Sequence, residues 1–96
     1  MHVVVNHLHL REPLDGATLA SAREALQAVV EAGATAARLL AVEPTHLILL
    51  LEFDSREDVD RIAREVGGPW MREHIVPLLA RDTDRSIGEV IVSAAP

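Results

Sequence analysis

Apolar and polar residues alternate at the start of the chain. In "HVVVNHLHL", Val3, Val5, His7 and His9 fall on one side, and Val4, Asn6, Leu8 and Leu10 fall on the other. That period of two predicts a β-strand. "REPLDG" follows with turn residues and ends it. The period then lengthens. Between Ala17 and Ala32, Leu19, Ala22, Leu26, Val29 and Val30 recur along one stripe, with Glu24 and Glu31 opposite. This predicts an amphipathic helix. Asp15 or Thr18 is suited to its N-cap, and Gly33 to the position just past its end.

"TAARLLAVEPTHLILLLEF" predicts two strands, Ala36–Glu43 and His46–Phe53, joined by a tight turn at Pro44. Pro fits the second position of such a turn. The "LILLL" run makes the later strand apolar on both faces, as in a strand covered on both sides. "DSREDVDRIAREV" predicts a second helix, capped by Asp54 or Ser55 and buried through Val59, Ile62, Ala63 and Val66. Asp60 and Arg64 have the spacing of a helical ion pair. Gly67 and Gly68 are expected to stop this helix, and Pro69 to start a separate short one running to about Val76, before Pro77. "RDTDR" reads as a polar connection, and "SIGEVIVSA" as the last strand.

The resulting order is β-α-β-β-α-β in an α+β, ferredoxin-like fold. Both helices cover one face of a four-stranded antiparallel sheet, with the first and third strands central. Residues 1–96 read as one domain. The strands are apolar on both faces, and Val3, Val5, Ile48, Leu50, Ile87 and Ile91 are expected on the uncovered side. Such a surface needs cover. A homodimer with two sheets packed face to face supplies it.

Composition narrows the function. The net charge of −6 and the absence of Lys leave no basic surface for nucleic acid. The absence of Cys removes disulfides and thiolate chemistry. No targeting segment is evident, and the longest apolar run is too short for a membrane span. A cytoplasmic protein without membrane or nucleic-acid partners is expected.

Three groups of residues carry candidate chemistry. The first is "EVGGPWMREHIVPLL", with the chain's one tryptophan, Trp70, followed at helical spacing by His74. Met71, His74, Ile75 and Leu78 share a side of that helix, with Trp70 at its rim. Either this is a docking helix, or Trp70 and Met71 wall a ligand site and His74 supplies a base. The second is Asn6, whose amide faces the helices and must find a backbone, side-chain, water or ligand partner. A cavity under the second helical region would set Asn6 and His74 on opposing walls. The third is His7 and His9, spaced as two metal ligands could be, with Glu52 or Glu89 as further donors. Partly solvated histidines lining the sheet are the plainer alternative, and neither a metal nor a cofactor is assigned. His46, beside a turn, is expected to be exposed.

The whole pattern, with Asn6 in the first strand and His74 in "REHIVPLL", resembles the dimeric α/β-barrel superfamily. Antibiotic-biosynthesis monooxygenases, haem-degrading monooxygenases and stress-responsive barrel proteins belong to it. The resemblance implies a pocket between sheet and helices, with Asn6 and His74 as catalytic residues; Trp70 and Met71, read from the helix itself, are the substrate-binding candidates. The resemblance also implies cofactor-independent oxygenation of a small hydrophobic, aromatic or polyketide-type ligand. In haem-degrading relatives, a Trp lies more than two turns before the His; here Trp70 is one turn away, and Arg64 stands nearer that place. The alternative within the same superfamily is a non-enzymatic ligand-binding or stress-responsive dimeric barrel.

Overall fold

A computed structural model describes the whole chain, Met1–Pro96. It contains β1 (His2–His9), α1 (Gly16–Ala32), β2 (Ala36–Glu43), β3 (His46–Phe53), α2 (Arg56–Ile62), α3 (Gly68–Trp70) and β4 (Asp84–Glu89). The four strands form one antiparallel sheet in the order β2-β3-β1-β4. β1 and β3 are therefore central, and the sheet does not close within one chain. This is the ferredoxin-like arrangement that the pattern predicts. No helix is long and apolar enough to cross a membrane.

Local chemistry fixes the ends of α1. Asp15 accepts a 2.7 Å hydrogen bond from the Thr18 amide. This bond satisfies an orphan donor of the first turn and holds the Asp15 carboxyl below its ordinary pKa. Gly33 ends the helix at φ 134°, a conformation that penalises any side chain. Ser55 caps α2 by accepting from Asp58 N at 3.2 Å.

The second helical region departs from expectation. Gly67 and Gly68 do not break it: both keep right-handed helical dihedrals, and α2 continues through a π-turn (Ala63–Gly67), α3, a second π-turn (Met71–Ile75) and a 3₁₀ turn (Val76–Leu78). The glycine serves packing. A Cβ at Gly68 would lie 2.6 Å from the Ala63 carbonyl oxygen. Pro69, which has no N–H to give, follows immediately, where the wider turn moves the ladder off its ring. Asp60 pairs with Arg56 at 3.7 Å and not with Arg64, which stands 3.9 Å from Glu65.

Asn6 divides the core. Val4, Val29, Ala34, Phe53, Val59 and Ile62 form one buried cluster; Leu8, Leu10, Leu47 and Ile75 form another. Asn6 lies between Val4 and Leu8 on the same face of β1 and is the one buried polar residue. The second cluster is closed by the chain that follows the helices, where Leu79 bridges to Leu10 and Ala80 N donates to the His9 carbonyl.

Two further expectations are corrected. Ile87 stands opposite Val4 in the register and packs against the first cluster, so it belongs to the helix-covered face. β4 begins at Asp84 and stops at Glu89. Its neighbour β1 reaches only His2 at that end, and Val90 N to the Met1 carbonyl is the final contact. Strand propensity alone does not extend a ladder with nothing beside it. The edges of the α1 stripe are also uncovered, leaving Leu19 50% exposed.

Candidate functional site

An apolar cavity of about 40 Å³ lies between sheet and helices. The sheet contributes Leu8, Leu39, Leu49 and Leu51. From α1 come Ala22, Ala25, Leu26 and Val29, and from the second helical region Gly67, Trp70, Met71 and Ile75. Small residues on α1 leave the room; the π-turns set the opposite wall. π-turns recur at functional sites because they displace a helix face without ending the helix. The space is short of a fused ring system, so a ring-sized occupant requires wall side chains to shift.

Trp70 and Met71 line this cavity, but Asn6 and His74 are not among its walls. Ile75 takes the inward position beside them and is fully buried. His74 stands one residue earlier, with its side chain 35% exposed and 3.7 Å from Glu73. Its ring stacks on Trp70 with centroids 5.5 Å apart. Trp70 Nε1 donates to Ser21 Oγ at 2.9 Å, tying α3 to α1 beside the cavity. Sequence reasoning passed over Ser21, because a lone serine on a helix flank carries no spacing signal.

Asn6 is 7% exposed, and its Oδ1 has no hydrogen-bond partner. Across the sheet it faces Leu49, a cavity wall residue, on one side and Arg85 on the other. A buried carbonyl without a donor costs about 1–3 kcal/mol. This acceptor sits beside the cavity floor and is unused by the protein.

On the open sheet face, cross-strand register gathers His7, His9 and His46. His7 Nδ1 lies 3.0 Å from His46 Nε2, and the His9 and His46 rings stack at 4.3 Å. His46 is thus half-buried, contrary to expectation. Arg81 reaches His9 Nε2 at 2.9 Å. The His9 pKa is lowered, first by lost solvation and then by Arg81, His46 and His7. Glu52 and Glu89 pair with Val3 and His2, at the other end of β1. They cannot join His7 and His9, and no group of three such side chains is arranged to hold a metal ion.

No family model and no curated protein matches the sequence. Solved structures do match the fold. A Nitrosomonas europaea protein named after the antibiotic biosynthesis monooxygenases is 16% identical, with a TM-score of 0.82 over 96% of this chain and all of that one. Rv0793 from Mycobacterium tuberculosis is 17% identical, with a TM-score of 0.69 over 98% of each chain. A mutant of MhuD, with two manganese protoporphyrin IX molecules per active site, is 13% identical, with a TM-score of 0.61 over the full length of both. At these identities the likeness is one of fold, and this chain has the fold of the antibiotic-biosynthesis-monooxygenase-like structures.

Proposed function

We propose that this protein binds a planar aromatic molecule bearing a hydroxyl group between its sheet and helices, and catalyses its oxygenation without a cofactor. The observation that carries this reading is the orphaned Asn6 oxygen beside an apolar cavity. The pairing matches a ligand with one polar substituent on a hydrophobic body. The names of structures with this fold support the reaction class.

In this reading the Asn6 amide oxygen accepts the substrate's O–H, and Trp70 and Met71 hold its ring. His74, stacked on Trp70 and outside the resting cavity, takes the proton once the Trp70 wall shifts to admit the ring. Deprotonation makes the ring electron-rich. In an anthrone-type substrate, the activated methylene takes up O₂ as a hydroperoxide, which loses water to leave a carbonyl. Exclusion of water, with the Asn6 amide turned to present its N–H to the oxyanion, favours the charged intermediate.

Two copies packing their open sheet faces together complete the proposal. Val3, Val5, Ile48 and Leu50 lie on that face by register and would be removed from water by it. A non-enzymatic, ligand-binding or stress-responsive barrel is the second reading. It is favoured by a cavity of about 40 Å³ that has no titratable side chain in its lining.

Oxygen consumption with anthrone-type substrates separates the readings. Oxygenation is expected in the wild type and is expected to fall in Asn6→Ala and His74→Ala. Background rates in all three would exclude the enzymatic reading.

A further inference from the structure

Three of the chain's five histidines meet on the open face of the sheet. His46 is their hub. Its Nε2 lies 3.0 Å from His7 Nδ1, and its ring stacks on His9 with centroids 4.3 Å apart. All three are half-buried already in one chain. Cross-strand pairing sets His7 opposite Ile48 and Val5 opposite Leu50. The imidazoles therefore adjoin the apolar patch on which the proposed dimer closes.

The cluster is built for neutral rings. A hydrogen bond between two ring nitrogens needs one of them bare. With both rings protonated, both atoms carry N–H and the contact turns repulsive. Arg81, in the loop before β4, reaches His9 Nε2 at 2.9 Å. A guanidinium only donates, so this nitrogen accepts and is bare as well. The lowered His9 pKa agrees, with lost solvation first, then Arg81, His46 and His7, and Asp84 opposing. Among the neighbouring charges, Asp84 of β4 pairs with His7, and Glu43 of β2 pairs with His46. Arg38 and Glu52 stand farther along, opposite Leu50 and Val3. Arg81 offsets one of the two near carboxylates. One added proton per copy is thus balanced, and the next two are not.

We propose that His7, His9 and His46 make the sheet-to-sheet pairing of two copies pH-sensitive, holding the dimer near neutral pH and releasing it on mild acidification. The inference rests on the sheet-to-sheet dimer and adds its regulation. Two-fold symmetry brings two such clusters into one interface. Water is excluded there, and a charged ring without water or a partner is costly. In separated copies the rings are free to take up protons. Association therefore releases protons, and acid opposes it. Imidazole is the side chain suited to this range, since it ordinarily titrates at about 6.5. Acidification also shrinks the net charge of −6, which favours association. Salt at roughly 0.15 M screens charges beyond about 8 Å, so the groups inside the interface set the sign.

Sedimentation equilibrium of the full chain at pH 7.5 and 5.5 tests this, with circular dichroism to verify folding at each pH. The dimer dissociation constant is expected to rise at least tenfold at pH 5.5. His46→Gln removes the ring that touches both others and is expected to abolish most of that rise. Replacing His7, His9 and His46 together by Gln is expected to abolish all of it. His74→Gln, on the helical side, is expected to keep the wild-type response. An equal dissociation constant at the two pH values, or a wild-type response in His46→Gln or the triple variant, would overturn the switch and leave the sheet-to-sheet dimer standing. A wild-type chain that stays monomeric at both pH values and every concentration would overturn both.

Discussion

The Trp70 indole N–H donates to Ser21 Oγ across 2.9 Å, joining residues 49 positions apart on α1 and α3. Trp70 also lines the apolar cavity, so the tryptophan is at once a wall and a tie. Ser21→Ala leaves a partly buried N–H without its partner. It is expected to cost about 0.5–1.5 kcal/mol. Intrinsic fluorescence reports on Trp70 alone. It should change in this variant before any unfolding, and an unmoved spectrum would mean that the bond is not kept in solution.

The two adjacent glycines should respond oppositely to alanine. At Gly68 the added Cβ meets the Ala63 carbonyl oxygen at 2.6 Å, whereas at Gly67 the nearest atom is 3.9 Å away. Gly68→Ala is therefore expected to destabilise by about 1–3 kcal/mol. Gly67→Ala is expected to stabilise by about 0.5–1 kcal/mol through helix propensity. Urea midpoints decide the matter, and equal effects would contradict the π-turn geometry.

Asn6 is unsatisfied in the folded chain. Asn6→Leu replaces the orphaned amide with an apolar group of the same branched shape. It is expected to raise stability by about 1 kcal/mol, since removing an unpaired buried group relieves its desolvation penalty. Ligand binding should be lost in the same protein. A less stable Asn6→Leu would mean that the amide already has a structural partner.

His9 makes stability depend on pH. The His9 pKa is lowered below 6.5 by lost solvation, Arg81, His46 and His7, with Asp84 opposing. As pH falls through about 6.5, the unfolded chain takes up the proton first, so stability declines below that value and is level above it. Urea midpoints between pH 7.5 and 5.5 should show the decline, and Arg81→Gln should reduce it. A flat profile in the wild type would remove the cluster's influence.

Much of the fold was legible because local signals and tertiary structure agree. Pro44 between two apolar runs delimits β2 and β3, while Asp15 and Gly33 mark the ends of α1. The second helical region was misread because a Gly-Gly-Pro run is a stop signal unless packing demands it. Here the demand comes from the close Ala63 carbonyl. The face of Ile87 is not legible in a strand apolar on both sides, because it is set by the register that pairs Ile87 with Val4. At the site, the burial of Asn6 followed from alternation in β1. The contacts of Trp70 with Ser21 and of His46 with His7 and His9 depend on tertiary proximity or cross-strand register, to which spacing within one segment is blind.

The division of the core at Asn6 has a dynamic consequence. Val59 and Ile62 anchor α2 in one cluster, whereas Trp70, Met71 and Ile75 pack on the other. Two separate clusters can open in separate steps. The segment from Gly68 to Leu78 is then free to lift away while α2 stays seated, and the cavity wall lifts with it. Amide hydrogen exchange would register this as two protection classes along one continuous helical path, with the amides around Ile75 exchanging ahead of those around Ile62. A ligand too large for the resting cavity would gain access through that partial unfolding, at a rate set by the opening of the second core.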